Sequence, residues 1–148
     1  EAKELLADTR RAFFADLDGL LARYQALRDR LGRAYVAYRT GQTPAAALEN
    51  ELIYQIPQRQ EVQRAVNALG TSIDDRVLRS LASDLSAVVG IGLQATQAQR
   101  DTLAAIGAGR AKNDDSSWQR VEAMGARTLA RLETFLTTYA RAKEGFLG

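Results

Sequence analysis

The chain has 148 residues, 46% hydrophobic and 26% charged, the balance of one globular domain with room for a single core and no disordered signature. Its 20 basic and 18 acidic residues leave a formal charge of only +2, which gives nucleic acid no strong electrostatic reason to bind. Histidine and cysteine are both missing; with them go the usual zinc, haem and thiol ligands and the commonest general base, so no metal, no cofactor and no enzyme activity is expected.

Lysine stands only at Lys3, Lys112 and Lys143, so arginine supplies nearly all the positive charge. The longest apolar runs, such as Ala87 to Gly92, fall far short of the roughly 20 residues a membrane span needs. Any membrane attachment is therefore expected through segments outside this chain. The sequence begins at Glu1 without methionine and with helical pattern already running, as expected of a processed or excised piece.

The first segment repeats apolar residues at Leu6, Phe13, Leu17, Leu20, Tyr24, Leu27, Leu31, Ala34 and Tyr38, the alternating steps of three and four that make a heptad seam. It predicts a helix from about residue 2 to 39, stopped at Thr40-Gly41. Thr43-Pro44 restarts helix, threonine as N-cap and proline at the first helical position. That second helix is expected over about 44–69, ended by Gly70 and interrupted at Pro57.

Ser72-Ile73-Asp74-Asp75 has the spacing of a capping box and opens a third helix over about 73–109. Its seam reads Val77, Leu81, Leu85, Val88, Gly92, Ala95, Gln99, Thr102 and Ile106. Lys112 to Ser117 is loop, with Asp114, Asp115, Ser116 and Ser117 able to cap the next helix. The fourth helix is expected over about 117–146, with a seam of Trp118, Val121, Gly125, Thr128, Leu132, Phe135, Tyr139, Ala142 and Phe146. Four such helices on short loops predict an all-α, antiparallel up-down-up-down four-helix bundle, elongated because helices of this length reach about 55 Å.

Proline in a helix interior costs about 3 kcal/mol and pushes its predecessor, here Ile56, out of the α region. The stripe of Leu48, Leu52 and Ile56 resumes at Val62, Val66 and Leu69, so the inward position between them falls at Arg59. Level with Pro57, the other helices place small or polar residues near Tyr24, Gln99, Gly125 and Thr128, where bundles usually carry leucine. A hollow lined by Tyr24, Tyr54, Gln99 and Thr128, with Arg59 pointing in, is a candidate ligand site; arginine there suits the carboxylate of a small acidic metabolite. In the competing reading, Pro57 starts a new helix after a surface break, Arg59 and Arg64 lie in water, and Gln99 bonds across the seam to fix register.

Ala87 to Leu93 is apolar nearly all round and holds Gly90 and Gly92. A second copy packed on Val89, Gly90 and Leu93 would explain that and predicts a homodimer; burial inside one bundle explains the apolarity equally. The arginines flanking the first seam are read as covers for the core. Glu49, Glu51 and Glu61 cannot form a di-iron site without the Glu-x-x-His pairs it needs, and phosphate loops, G-x-S-x-G and H-E-x-x-H are absent. Ser116, Ser117 and the pairs Asp74-Asp75 and Asp114-Asp115 are read as caps.

Up-down-up-down topology returns the first and last helices to one end of the rod, as in a module looped out between two membrane spans. In architecture alone, with no motif carrying the likeness, this resembles the four-helix sensor domains of bacterial chemoreceptors and histidine kinases. The expected function is a non-enzymatic, extracytoplasmic (periplasmic) ligand-binding module that relays a small helix shift in signal transduction. The alternative is a structural or adaptor bundle that binds a protein partner through the apolar face of the third helix.

Overall fold

Apolar side chains every three or four positions give each long segment one oily stripe, and burying four such stripes against one another is what holds the chain together. The computed structural model describes residues 2–148. Among them lie α1 (Ala2–Arg39), α2 (Ala45–Thr71), α3 (Arg76–Gly107) and α4 (Asp115–Leu147), and no strand. Cross-helix pairs fix the topology. Arg23 meets Glu61 and Arg30 meets Glu51, so α1 and α2 run antiparallel. Gln63 bonds to Ser86 and Arg59 to Gly92, so α3 reverses again. Phe14 touches Tyr139 and Phe146, while Tyr35 meets Trp118. The start of α1 therefore lies beside the end of α4.

The turns are set by local chemistry. Gly41 takes φ +77° beyond the end of α1, with Gln42 N–H donating to the Ala37 carbonyl and Gly41 N–H to that of Tyr38. Gly109 does the same after α3, with Arg110 on Ala105 and itself on Ile106. Both are Schellman stops, in which a left-handed glycine lets the chain satisfy carbonyls the helix leaves open. At the helix starts, Asp75 accepts from the amides of Val77 and Leu78, and Asp114 from that of Ser117.

Several sequence expectations are corrected by these elements. The cap of α3 is Asp75, not Ser72, which closes α2 and donates its hydroxyl to the Leu69 carbonyl. The Asp75 carboxylate accepts from both amides and adds a negative charge that suits the start of a helix, so the helix starts three residues later than the capping box suggested. Pro44, not Thr43, holds the N-cap position of α2, with no side-chain cap. Leu6 and Val77 are exposed, and Leu78 replaces Val77 on the buried face. Helix α2 also runs on through Gly70 and through Pro57. The expected interruption reduces to one missing amide: Ile53 and Pro57 both face solvent, where water can serve the Ile53 carbonyl and the ring meets no neighbouring helix.

The interior divides into two apolar clusters. One, near the chain ends, gathers Phe13, Phe14, Leu17, Val66, Leu85, Phe135 and Tyr139 with their neighbours. The other, at the opposite end, packs Leu31, Leu48, Leu52, Leu103 and Val121 around the fully buried Trp118. Each such side chain contributes about 1.5–3 kcal/mol by leaving water. The apolar run of α3 belongs to this interior. Val89 is 0% exposed, Gly90 lies under the Gln63 amide of α2, and Leu93 is half-buried. The expectation of a free face at Val89, Gly90 and Leu93 is thus replaced by burial within one bundle: α3 is the helix most enclosed by its neighbours, so it needs apolar residues on more than one side.

Candidate functional site

Between the two apolar clusters lies a layer of different chemistry. The buried polar side chains among the described residues are Gln55, Arg59, Thr96 and Thr128, and all four fall in this layer. Close-packed interiors rarely place a charge where leucine would fit. The small residues around it leave room: Gly32 on α1, Gly92 and Ala95 on α3, and Gly125 and Ala126 on α4 line a cleft of about 270 Å³. It opens between α1 and α4, the neighbours whose backbones approach least. Arg59 of α2 and Thr96 of α3 form its floor, Leu31 and Leu129 its apolar walls, and Arg28 and Gln99 stand at its sides.

Arg59 reaches this floor because it sits seven residues beyond Leu52 and three before Val62, on the buried stripe of α2. It is 4% exposed. Its Nε donates to Gln55 Oε1 at 3.0 Å and its Nη1 to the Gly92 carbonyl at 3.3 Å. Gln55, one turn back, is held in turn by the Leu27 carbonyl and Glu51 through its Nε2. Among the described residues no carboxylate lies within ion-pair distance of Arg59, and Nη2 has no hydrogen-bond partner. Glu51 is the acid whose field reaches it, acting across Gln55 while its other oxygen binds Arg30. Burial lowers the Arg59 pKa, and the charge of Arg28 pushes the same way; a guanidinium nonetheless keeps its proton, so the positive charge stays. An unpaired buried charge carries a desolvation penalty of several kcal/mol.

Tyr24 of α1 completes the layer. Its ring lies beneath the Arg59 guanidinium, 5.6 Å from Cζ to ring centre, and its hydroxyl, on a residue that is 0% exposed, has no hydrogen-bond partner. Burial raises its pKa while Arg59 and Arg28 pull it back. The hydroxyl sits over Gly92, where a Cβ would collide with it and would lie 3.3 Å from Arg59 Nη1 and 3.4 Å from Thr128 Cγ2. One residue from each helix, Tyr24, Arg59, Gly92 and Thr128, meets at this point. Gln99 Oε1 is a second buried polar atom without a partner. The hydroxyls of Thr96 and Thr128 already donate to the carbonyls of Gly92 and Met124 in their own helices.

Of the residues proposed from sequence, the structure brings Arg59, Gln99 and Thr128 to one cleft, and sets Tyr24 behind that lining, against Gly92 and Arg59. Tyr54 is corrected: it is 41% exposed on the outer face of α2, with Arg30 stacked over its ring at 4.2 Å. Two residues after Leu52 and five before Arg59, it falls off the buried stripe. The competing reading is also displaced, since Arg64 is in water but Arg59 is not, and Gln99 makes no bond across the seam. Sequence reasoning passed over Gln55 and Arg28. Each had a legible signal: Gln55 stands one turn before Arg59, and Arg28 one turn after Tyr24.

No protein-family model matches this chain, and no curated protein and no solved structure is significantly similar to it. Among the described residues no helix is long and apolar enough to cross a membrane, and no three acidic, histidine or cysteine side chains gather as metal ligands.

Proposed function

We propose that this bundle is a non-enzymatic receptor module for a small organic anion, bound in the cleft between α1 and α4. One observation carries the reading: a charged Arg59, buried on the floor of an open cleft, with no carboxylate of its own. An anion entering there would exchange an uncompensated charge for a pair and gain charge-assisted hydrogen bonds. Binding is favoured over catalysis by the lining, whose hydroxyls are spent on backbone carbonyls and which offers no nucleophile with an activating base.

The cleft's place supports a signalling role. A ligand held between the first helix and the last has differential contact with any two packings that alter their spacing, so it shifts α4 against α1. The free ends of those helices lie together, with Arg10 of α1 over the Phe146 ring of α4, as suits an extracytoplasmic module joined to a membrane at one end. A homodimer would double the number of relayed helices.

The test is a thermal-unfolding screen against small organic anions, followed by spin-label distances between α1 and α4. The chain has no cysteine, so labels can be placed at the exposed Ala12 and Glu144 alone. A hit should raise the melting temperature of the wild type, leave Arg59→Met unmoved, and change the label distance. If no anion in the screen stabilises the protein, the reading is wrong.

A further inference from the structure

The identity of the anion can be narrowed, on the premise that the cleft is an anion site. We propose that its ligand is a short carboxylate without an ammonium group, its carboxylate held jointly by the Arg59 guanidinium and the Tyr24 hydroxyl.

The donors available decide the head group. The cleft is walled by the middles of four helices, whose backbone amides are committed to their own ladders, so it has none of the free N–H groups with which helix starts and glycine-rich loops cradle phosphate. What remains is a planar fork and a phenol. Arg59 Nη2 is unengaged, and the Tyr24 hydroxyl and Arg59 Nη1 crowd the same point above Gly92. A planar carboxylate matches a guanidinium edge and accepts one further O–H. That would satisfy the fully buried Tyr24 hydroxyl, whose proton otherwise has no acceptor.

The same lining rejects a cation. Arg28 and Arg59 contribute two positive charges, and among the described residues no aspartate or glutamate lines the cleft. The Gly92 carbonyl already accepts from Arg59 and from the Thr96 hydroxyl, and the unpartnered Gln99 Oε1 is neutral, so it could accept one hydrogen bond from an ammonium but offers no counter-charge. The ammonium of a free amino acid would lie beside two guanidiniums with no counter-charge, a cost that its neutral analogue escapes. Leu31, Ala95, Ala126 and Leu129 give the remainder of the ligand an apolar wall. A cleft volume of about 270 Å³ lies at the small end for ligand sites, so the body is a short chain or one small ring.

Calorimetric titration of the whole chain tests this with three probes: straight-chain carboxylates from acetate to hexanoate, their 2-amino counterparts, and inorganic phosphate. The carboxylates should bind best, with the amino acids at least about tenfold weaker. Tyr24→Phe should weaken carboxylate binding by about 10-fold to 150-fold, the worth of one hydrogen bond to a charge, and leave the melting temperature of the free protein unchanged or higher. Amino acids that bind as tightly as carboxylates, or phosphate that binds more tightly, would overturn the proposed class and leave the anion site standing. Binding by none of the three would overturn both. A Tyr24→Phe variant that melts lower yet keeps full affinity would show the hydroxyl to be structural and remove it from the site.

Discussion

Replacing Arg59 by methionine separates a binding arginine from a structural one. In the free protein Arg59 makes two hydrogen bonds, to Gln55 Oε1 and the Gly92 carbonyl, each worth about 1.5–3 kcal/mol as bonds from a charged donor. Against them stands a desolvation penalty of several kcal/mol for a guanidinium that is 4% exposed and pairs directly with no acid. Methionine removes both sides of the balance and fills a similar volume with apolar atoms. It leaves Gln55 Oε1 without a donor, at about 1–3 kcal/mol, while the Gly92 carbonyl keeps the Thr96 hydroxyl. The expected net change is within about 1 kcal/mol of zero, a shift of about 2–4 °C or less in a domain of this size. Ligand at one hundred times its dissociation constant should raise the wild-type melting point by about 5–10 °C, from about 2.7 kcal/mol of linkage, and the variant's not at all. Thermal unfolding followed by circular dichroism at 222 nm measures both. A loss of 3–5 kcal/mol in the free protein, the usual result of breaking a buried ion pair, would refute this balance, because it would mean that Glu51 compensates Arg59 fully through Gln55.

Other expectations rest on the same geometry. Gly92→Ala places a methyl group against the Tyr24 hydroxyl and should cost about 1–3 kcal/mol by overpacking, in spite of its better helix propensity. Gly19→Ala, with nothing within 4 Å of the added carbon, should stabilise by about 0.5–1 kcal/mol; urea titration compares the two. Pro57→Ala restores an amide in the middle of α2 and should raise stability by about 1–3 kcal/mol in the same titration. At alkaline pH, burial raises the pKa of Tyr24 and Tyr139, and Tyr139 is raised further by its hydrogen bond to Asp18. Groups whose folded pKa lies above the unfolded one stabilise fully below the unfolded value of about 10 and less as pH rises beyond it. The protein should therefore lose stability above about pH 10, with the share of the phenolate absorbance at 295 nm that belongs to Tyr24 and Tyr139 appearing together with unfolding rather than before it.

Most of the fold was legible because the seams are regular. Heptad spacing placed Trp118, Val121, Thr128, Leu132, Phe135 and Tyr139 on one face of α4, and all six are buried there. Where pattern competed with local chemistry, chemistry won: Ser72 had the capping-box spacing, but Asp75 accepts two amides and starts the helix. The polar layer was visible at its centre, since Arg59 falls on the inward stripe of α2 when that stripe is carried through Pro57, as the continuous helix carries it. Tyr54 was misplaced by its nearness to Pro57 in sequence, whereas it stands two residues after Leu52, off the buried stripe of Leu48, Leu52, Gln55 and Arg59. Gly92 was read only as part of a seam. That a glycine makes room for a hydroxyl from another helix is a statement about three dimensions, and no periodicity along one strand of sequence contains it.

The proline and the arginine play separate physical parts. Pro57 lies on the solvent face of α2, two residues before Arg59 on the buried face, so it does not open the cleft by breaking the helix. The room comes from Gly32, Gly92, Ala95, Gly125 and Ala126, contributed by the three other helices. A bundle gains stability from filling such a layer with leucine, at about 1.5–3 kcal/mol for each side chain. This chain instead places five small residues and an unpaired charge at one level, between two clusters packed in the ordinary way. Local departures from the rules that the remainder of a sequence obeys are where function is expected to reside. Here the departure involves every helix of the bundle, and α1 and α4, the two that a bound anion would bridge, are the adjacent helices that approach each other least.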